Sequence, residues 1–213
     1  MARSPDLPRT IPLFPLGGAI LLPRSRLPLQ IFEPRYLQMV EDVLATPERL
    51  IGMIQPMQNG KGRLSQIGCA GRIVAFSELP DRRMMISLQA RSRFRVLHQE
   101  PEGERPYRVA LVDWQDFRQD LDSRGESAPG YDRATLMTRL RRFADLRGLA
   151  SDWSAAESAE EETLVNMLSM LLPFSHEEKQ ALLESPTLAD RRELLDGLLE
   201  YALRGGEDEE RIQ

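Results

Sequence analysis

The apolar runs near the start of the chain are short and are interrupted by proline and glycine. Residues 11–14 (IPLF) and 19–22 (AILL) are separated by a proline and a Gly-Gly pair. Proline fixes φ and has no N–H, so neither run can extend into a long helix. The pattern predicts two short strands joined by tight turns. A helix should follow from Pro34, because leucine and valine recur at helical spacing over residues 37–44.

The clearest alternation in the chain covers residues 84–96. Even positions are mostly apolar, whereas the odd positions from 89 onward are polar or charged: Gln89, Arg91, Arg93 and Arg95. Side chains two positions apart lie on the same face of a strand. The alternation therefore predicts a long, half-buried antiparallel strand with one solvated face.

Three further apolar runs predict strands at residues 50–56, 67–76 and 107–113. The second of these contains Gly68 and Gly71, which indicate a bend or bulge where backbones approach closely. Four to six strands with one early helix are typical of a small, curved β-domain that is closed or partly closed.

The pattern becomes helical in the last third of the chain. Residues 116–130 are polar and predict a linker, and residues 132–147 then have helical spacing up to a terminal glycine. The capping-box pattern S-x-x-E occurs at residues 154–157 and 175–178, each before an apolar stripe. A last helix is expected from residue 188 to the glycine pair at 205 and 206.

These elements predict an α+β protein in which a β-domain precedes a helical bundle. The predicted boundaries are a flexible N-terminus, the β-domain, a linker, the bundle and an acidic tail, at residues 1–9, 10–115, 116–130, 131–205 and 206–213.

Composition narrows the possible function. The chain has 213 residues, of which 41% are hydrophobic, and this is enough for a substantial core. No run reaches the length of a membrane span and the N-terminus lacks a secretion signal, so we expect a cytoplasmic protein without membrane partners. The net charge of −5 argues against a generally basic nucleic-acid-binding protein.

Few residues could carry catalysis. Cys69 with His98 or His176 could form a thiol–imidazole pair, which a hydrolase would need, but Cys69 lies in an apolar run and is predicted to be a core residue. A single cysteine gives neither a disulfide nor a paired-cysteine zinc site. We therefore expect no metal, no cofactor and no catalytic residue.

The arginines at 91, 93 and 95 support a different hypothesis. Their guanidinium groups could bind RNA phosphates or an acidic peptide. The other interpretation, which we favour, is a solvated strand face balanced by acidic residues nearby in the sequence.

Several motifs together resemble the N-terminal substrate-binding domain of the Lon protease family, and most closely the bacterial proteins that consist of this domain alone. They are PLFPLG (12–17), LPRSRLPLQIFEPRY (22–36), GCAGRIVAFSELPDRR (68–83), SRFRV (92–96) and LLPFSHEEKQALLES (171–185). The resemblance implies a PUA-like β pseudo-barrel followed by a helical bundle. It also implies recognition of unfolded or damaged polypeptide, in cooperation with a protease. The acidic net charge, and not the resemblance, argues against a nucleic-acid partner.

Sequence motifs of the family's catalytic modules are absent. The chain contains no GxxxxGK[ST] phosphate loop. The family's peptidase uses a serine–lysine pair, and neither Lys61 in a glycine-rich turn nor Lys179 in a capped helix has that context. We therefore predict a binding protein that is not an enzyme.

The predicted binding surface is a concave apolar rim formed where the first strands meet the early helix. Its predicted ligand contacts are Leu16, Ile20, Leu22, Leu29, Ile31, Phe32 and Met57, with Glu33 and Arg35 as polar contacts. Glu33 and Arg35 could instead fix the start of the helix through an ion pair, and this structural role is the one we favour.

Overall fold

The chain folds into a mixed sheet and a set of helices. The computed structural model describes residues 7–58, 62–100, 103, 105–122, 124–127, 130, 132–148 and 153–210. The strands in these residues are β1 (Thr10–Pro15), β2 (Arg26–Ile31), β3 (Leu50–Ile54), β4 (Ile67–Leu79), β5 (Arg83–Gln99) and β6 (Val109–Asp113). The helices are α1 (Pro34–Leu44), α2 (Arg133–Leu146), α3 (Trp153–Ser158), α4 (Glu161–Leu171), α5 (His176–Glu184) and α6 (Leu188–Glu210).

The sheet closes on itself through its longest strand. The strand order is β2-β5-β4-β3-β1-β6, and β6 also pairs with β5, so five strands form a ring with β2 outside it. Only the β1–β3 pair is parallel among the described pairs. The predicted α+β class and the partly closed β-domain are confirmed.

Strand β5 has the alternating burial that its sequence predicts. Met84, Ile86, Leu88, Ala90 and Phe94 are all buried. The ring of Phe94 lies inside the ring of strands with apolar residues of β1, β3 and β6. Close approach at Gly68 and a register shift between Ala70 and Gly71 confirm the predicted irregularity in β4.

The outer face of β5 differs from the prediction at one residue. Arg93 is completely buried, because the segment Gln115–Leu121 forms a 3-10 turn over this part of the strand. Phe117 and Asp120 of that turn are buried as well. The predicted solvated face is therefore wrong at Arg93, and the first part of the predicted linker is a packed element of the β-domain.

The second predicted strand of the opening stretch is also wrong. Residues 19–22 form no strand, and the strand that follows β1 is β2. Ile20, Leu21 and Leu22 are nevertheless buried. Their side chains enter the core from a loop, since apolar residues can be buried without a hydrogen-bonded ladder.

The chain divides into two compact units. Unit 1 comprises Met1–Gly125 and Pro173–Leu183, and unit 2 comprises Glu126–Leu172 and Glu184–Gln213. Within unit 2, α6 packs against α2 and α4. The sequence predicts that α5 belongs to the helical bundle. Almost all of α5 belongs instead to unit 1, because its polar side chains bind the β-domain, as described below.

The helix ends agree with the sequence in part. Ser175 and Glu178 form the predicted capping box, in which each side chain binds the other residue's N–H. Ser154 lies inside α3 and does not cap α4, whose first residue is Glu161. Helix α6 continues through the two glycines to Glu210, past the predicted end.

Candidate functional site: a cleft lined by tyrosine, proline and arginine

The turn after β1 is held in place by α5. The side chain of Gln55, which directly follows β3, accepts a hydrogen bond from Gly18 N–H at 3.1 Å and donates to the backbone oxygen of His176 at 3.0 Å. Lys179 Nζ donates to the backbone oxygen of Gly18 at 2.9 Å, and burial lowers the Lys179 pKa. The ring of His176 covers Gly17, where a Cβ would lie 2.8 Å from it. The motifs PLFPLG and SHEEKQ are thus one structural unit.

The start of α1 is fixed by a local ion pair. Arg35 Nε donates to Glu33 Oε2 at 2.9 Å, and the guanidinium group lies 4.6 Å from the centre of the Tyr36 ring. Tyr36 is buried against Phe14 in an edge-to-face contact of 4.5 Å. The predicted ion pair between Glu33 and Arg35 is present, and it places the arginine at the edge of a cleft.

This cleft, which we call the tyrosine cleft, has a volume of about 770 Å³ and lies entirely in unit 1. Its apolar lining comes from prolines, tyrosines and aliphatic residues, and three arginines and one glutamate supply charge. The lining residues are Pro15, Arg35, Tyr36, Pro56, Gly62, Leu64, Glu100, Gly103, Arg105, Pro106, Tyr107, Arg108 and Val109.

Arg108 and Tyr107 are held in place by hydrogen bonds. Arg108 Nη1 donates to the backbone oxygen of Gly62 at 2.7 Å, which joins β6 to the turn after β3. Tyr107 OH donates to Asp42 Oδ2 of α1 at 2.6 Å. Burial, followed by the bond to the Asp42 carboxylate, raises the pKa of Tyr107 to about 12. At neutral pH the cleft therefore presents a protonated tyrosine next to a charged carboxylate.

The Tyr107–Asp42 bond predicts a measurable change in a pKa. The bond is the largest cause that lowers the pKa of Asp42 below 3.8, and Gln38 is the second. We expect Tyr107→Phe to raise the pKa of Asp42 toward 3.8, as an NMR titration of the carboxyl carbon would show. Since the folded pKa is depressed, the bond adds stability above pH 3.8 and loses it as pH falls through the folded pKa.

A matched variant tests the order of these causes. Gln38→Ala removes the second hydrogen bond, at 2.9 Å to Asp42 Oδ1, and we expect a smaller rise of the Asp42 pKa. Equal pKa values for Asp42 in Tyr107→Phe and in the wild-type protein would contradict the assignment.

The predicted apolar ligand contacts differ in exposure and fall into three groups. Ile20, Leu22 and Ile31 are at most 2% exposed, so they belong to the core and cannot form part of a surface. Phe32 is 64% exposed and Met57 is 47% exposed, and Met57 follows the lining residue Pro56. Leu16 and Leu29 are half-buried. Of the nine predicted residues, Arg35 is the one that lines the tyrosine cleft.

Sequence reasoning missed the wall formed by β6 and the residues before it. Arg105, Pro106, Tyr107 and Arg108 directly precede the last strand, where the sequence predicts only a turn and the start of a strand. Tyrosine and arginine are enriched at interfaces and were the signal available here, but proline is also common in turns. Nothing in the sequence, however, places this segment opposite α1.

The arginines at 91, 93 and 95 do not form one exposed basic face. Arg93 is buried, and its guanidinium group binds Asp120 at 2.9 Å. Arg95 pairs with Asp116 at 2.9 Å, and Arg91 is half-buried. A ligand phosphate would have to compete with these carboxylates, so the geometry does not favour the RNA-binding hypothesis.

The groups considered for catalysis are not arranged for it. Cys69 is fully buried, which confirms its predicted core position, and it pairs in register with Arg93. His98 lies five residues further along β5, or about 17 Å at strand spacing, and is exposed. His176 is half-buried, and its ring lies over the glycine turn. In the described part of the chain, no cluster of three or more His, Cys, Asp and Glu side chains could hold a metal ion.

A second cleft of about 830 Å³ lies elsewhere in unit 1, and Leu97, Trp114 and Arg118 are among its lining residues. It contains fewer aromatic rings than the tyrosine cleft, but it offers a useful comparison site. No helix in the described residues is both long and apolar enough to cross a membrane.

Residues 10–200 match the family of the ATP-dependent protease La (LON) substrate-binding domain. The chain is 26% identical to Lon protease 2 of Desulfotalea psychrophila, across 94% of this chain and 26% of that protein. It is 30% identical to Lon protease of Desulfosudis oleivorans, across 42% of this chain and 12% of that protein. The chain thus spans between about an eighth and a quarter of the length of these curated relatives.

Two solved structures resemble the fold. The Lon N-terminal domain protein from Xanthomonas campestris is 25% identical with a TM-score of 0.58, over 87% of this chain and 96% of that one. The N-terminal domain of Mycobacterium avium complex Lon protease is 12% identical with a TM-score of 0.61, over 90% of this chain and 98% of that one. The second likeness concerns the fold alone.

Proposed function

We propose that this chain, which belongs to the LON substrate-binding domain family, binds extended segments of unfolded protein through unit 1 and does not cleave them. The family match supports the binding role. The fully buried Cys69, with His98 about 17 Å further along β5, supports the absence of catalysis. We further propose that it acts in the cytoplasm, where a single unpaired cysteine is ordinary, and that it passes its ligands to a protease.

The observation that carries the proposal is the composition of the tyrosine cleft. Tyr107 and three prolines offer rigid apolar surfaces that lose little conformational entropy when a peptide packs on them, and the buried Tyr36 supports them from below. Arg105 and Arg108 add cations whose planar forks bind backbone oxygens and carboxylates. An extended peptide presents both apolar side chains and backbone oxygens. The cleft can therefore bind such peptides whatever their exact sequence.

Two exposed apolar residues lie close in sequence to lining residues of the cleft. Met57 adjoins Pro56 in sequence, and its flexible thioether side chain can adapt to different partners. Phe32 immediately precedes the Glu33–Arg35 ion pair. We propose that both residues contact bound polypeptide at the edge of the cleft.

A titration of the full chain with reduced, carboxymethylated α-lactalbumin tests the proposal, since this probe stays unfolded and is acidic. We expect saturable binding that weakens with salt, because exposed charges are screened. Arg105→Glu should reduce the affinity about fivefold, since reversing an exposed charge changes the binding free energy by about 1 kcal/mol.

Arg118→Glu is the matched control, because it reverses an exposed arginine of the second cleft. We expect its affinity for the unfolded protein to equal that of the wild-type chain. If Arg118→Glu weakens binding and Arg105→Glu does not, the tyrosine cleft is not the site. Absence of binding to the wild-type chain would overturn the proposed function itself.

A further inference from the structure

Strand β4 is paired on both edges along only half of its length. Its register with β3 ends at the pair Leu50 and Arg72, and Ile73 N–H makes one further bond to Arg49 at 2.9 Å. Its register with β5 continues to Leu79. No described strand pairs with the outer edge of residues 75–79, which we call the free edge.

An unpaired strand edge presents alternating N–H and C=O groups, and another extended backbone can satisfy them. The free edge is about 17 Å long at normal strand spacing. It contains neither proline nor lysine, and the two features of the kind that discourage pairing are the charge of Glu78 and the register shift between Ile73 and Ala75, at which the edge begins. The outer edge of β2 differs in this respect, because Pro28 lies in the middle of that strand and removes a donor.

The side chains beside the free edge specify what an added strand would contact. Phe76 pairs in register with Ile86, which pairs with Leu29 of β2, so these three residues form an apolar row on one face of the sheet. Phe76 ends this row and is 52% exposed, whereas Ile86 is buried. On the other face the corresponding row is Ser77, Met85 and Gln30.

One apolar face and one more polar face favour an added strand in which apolar and polar side chains alternate. An apolar residue placed next to Phe76 would extend the apolar row, and its neighbours in sequence would face the more polar row. Glu78 lies on the same face as Phe76, so a basic residue would be favoured near it. The free edge therefore favours any strand whose apolar and polar side chains alternate, and it does not require one particular sequence.

The size of the free edge argues for an unfolded chain over a second folded copy. An edge of about 17 Å multiplied by the strand spacing of about 5 Å covers roughly 85 Å², against about 800 Å² per partner in a stable interface. A rigid second copy that touched only this edge would bury too little surface. A flexible polypeptide can pair with the edge and also follow neighbouring surfaces.

We propose that the free edge binds an extended segment of unfolded polypeptide as an added β-strand with apolar residues at alternate positions. The inference rests on the proposed function and adds a second binding surface to the tyrosine cleft. Backbone hydrogen bonds supply affinity that is independent of sequence, and the Phe76 row supplies the preference for apolar residues.

Backbone methylation tests the hydrogen bonds directly. The probe is a short, fluorescently labelled peptide in which valine and threonine alternate, titrated with the full chain by anisotropy. An added strand pairs through only one of its two edges. Two singly methylated peptides are therefore compared, each N-methylated along a different edge, and at least one of them should bind as the unmethylated parent does. A peptide N-methylated along both edges should bind at least tenfold more weakly. Equal binding of that peptide and its unmethylated parent would overturn the proposal.

A side-chain variant tests the Phe76 row. Phe76→Thr keeps a residue suited to a strand, and we expect about fivefold weaker peptide binding. The matched control is Tyr201→Thr, which removes an aromatic ring that is 75% exposed on α6, and it should bind as the wild-type chain does. If the wild-type chain is a dimer in sedimentation and Phe76→Thr is a monomer, a second copy occupies the edge and the proposal fails.

The two proposals fail in distinguishable ways. Binding of carboxymethylated α-lactalbumin with no effect of peptide methylation or of Phe76→Thr would overturn the free-edge inference and leave the proposed function intact. Failure of the chain to bind the unfolded protein would overturn the proposed function, whatever the peptide does.

Discussion

Replacing Asp120 by alanine is expected to lower the free energy of unfolding by about 3–5 kcal/mol, because it removes the carboxylate that neutralises the buried charge of Arg93. Both side chains are fully buried, and two parallel bonds of 2.9 Å join the guanidinium group to the carboxylate. Asp120 Oδ2 also accepts the backbone N–H of Arg93 at 2.9 Å. The Asp120 carboxylate therefore neutralises the Arg93 guanidinium group and also accepts a backbone hydrogen bond from β5.

The neighbouring pair Arg95–Asp116 is a control of the same chemistry. It joins the same strand to the same 3-10 turn, also at 2.9 Å, but both side chains are at least 38% exposed. Asp116→Ala should cost less than about 1 kcal/mol, because water already solvates and screens both charges.

Urea denaturation followed by tryptophan fluorescence measures both variants. The chain has two tryptophans, and a Trp153→Phe background leaves Trp114, in unit 1, as the reporter. Losses of similar size in Asp120→Ala and Asp116→Ala would show that burial does not set the strength of these pairs.

Arg93 shows what alternation can and cannot predict. The period of two along β5 assigned the buried face correctly from Met84 to Phe94. Periodicity tells which side chains share a face, but it does not tell whether a later segment covers the other face. Here residues 115–121, which are polar and resemble a linker, cover Arg93 with Phe117 and Asp120.

The candidate site was less predictable than the fold for a related reason. The density of apolar residues in the opening stretch indicated a binding rim, but Ile20, Leu22 and Ile31 fill the core. An apolar side chain suits a core and a binding surface equally, so its identity does not distinguish them. The tyrosine cleft depends on residues from α1, the turn after β3 and the start of β6, and their contact follows only from the closed sheet.

Gly68 is the position where the sequence predicted a close approach correctly, and Gly68→Ala is expected to lower the free energy of unfolding by about 3 kcal/mol. A Cβ at this position would lie 2.5 Å from the backbone oxygen of Met53 and 2.5 Å from Cζ of Phe94. The same denaturation experiment applies, since Trp114 packs edge-to-face on Phe94 at 5.8 Å.

Neither neighbour of Gly68 can easily move away from an added methyl group. Met53 belongs to the β3–β4 ladder, so shifting its oxygen would disturb that pairing, and Phe94 is fully buried inside the ring of strands. Gly197→Ala is the contrasting substitution, because Gly197 is exposed in α6 and a Cβ added there would meet nothing within 4 Å. It should stabilise unit 2 by about 0.5–1 kcal/mol through helix propensity alone. Equal stability of Gly68→Ala and the wild-type chain would mean that β3 and β4 can separate without cost, and the closed sheet would then not be the rigid support that both proposed binding surfaces require.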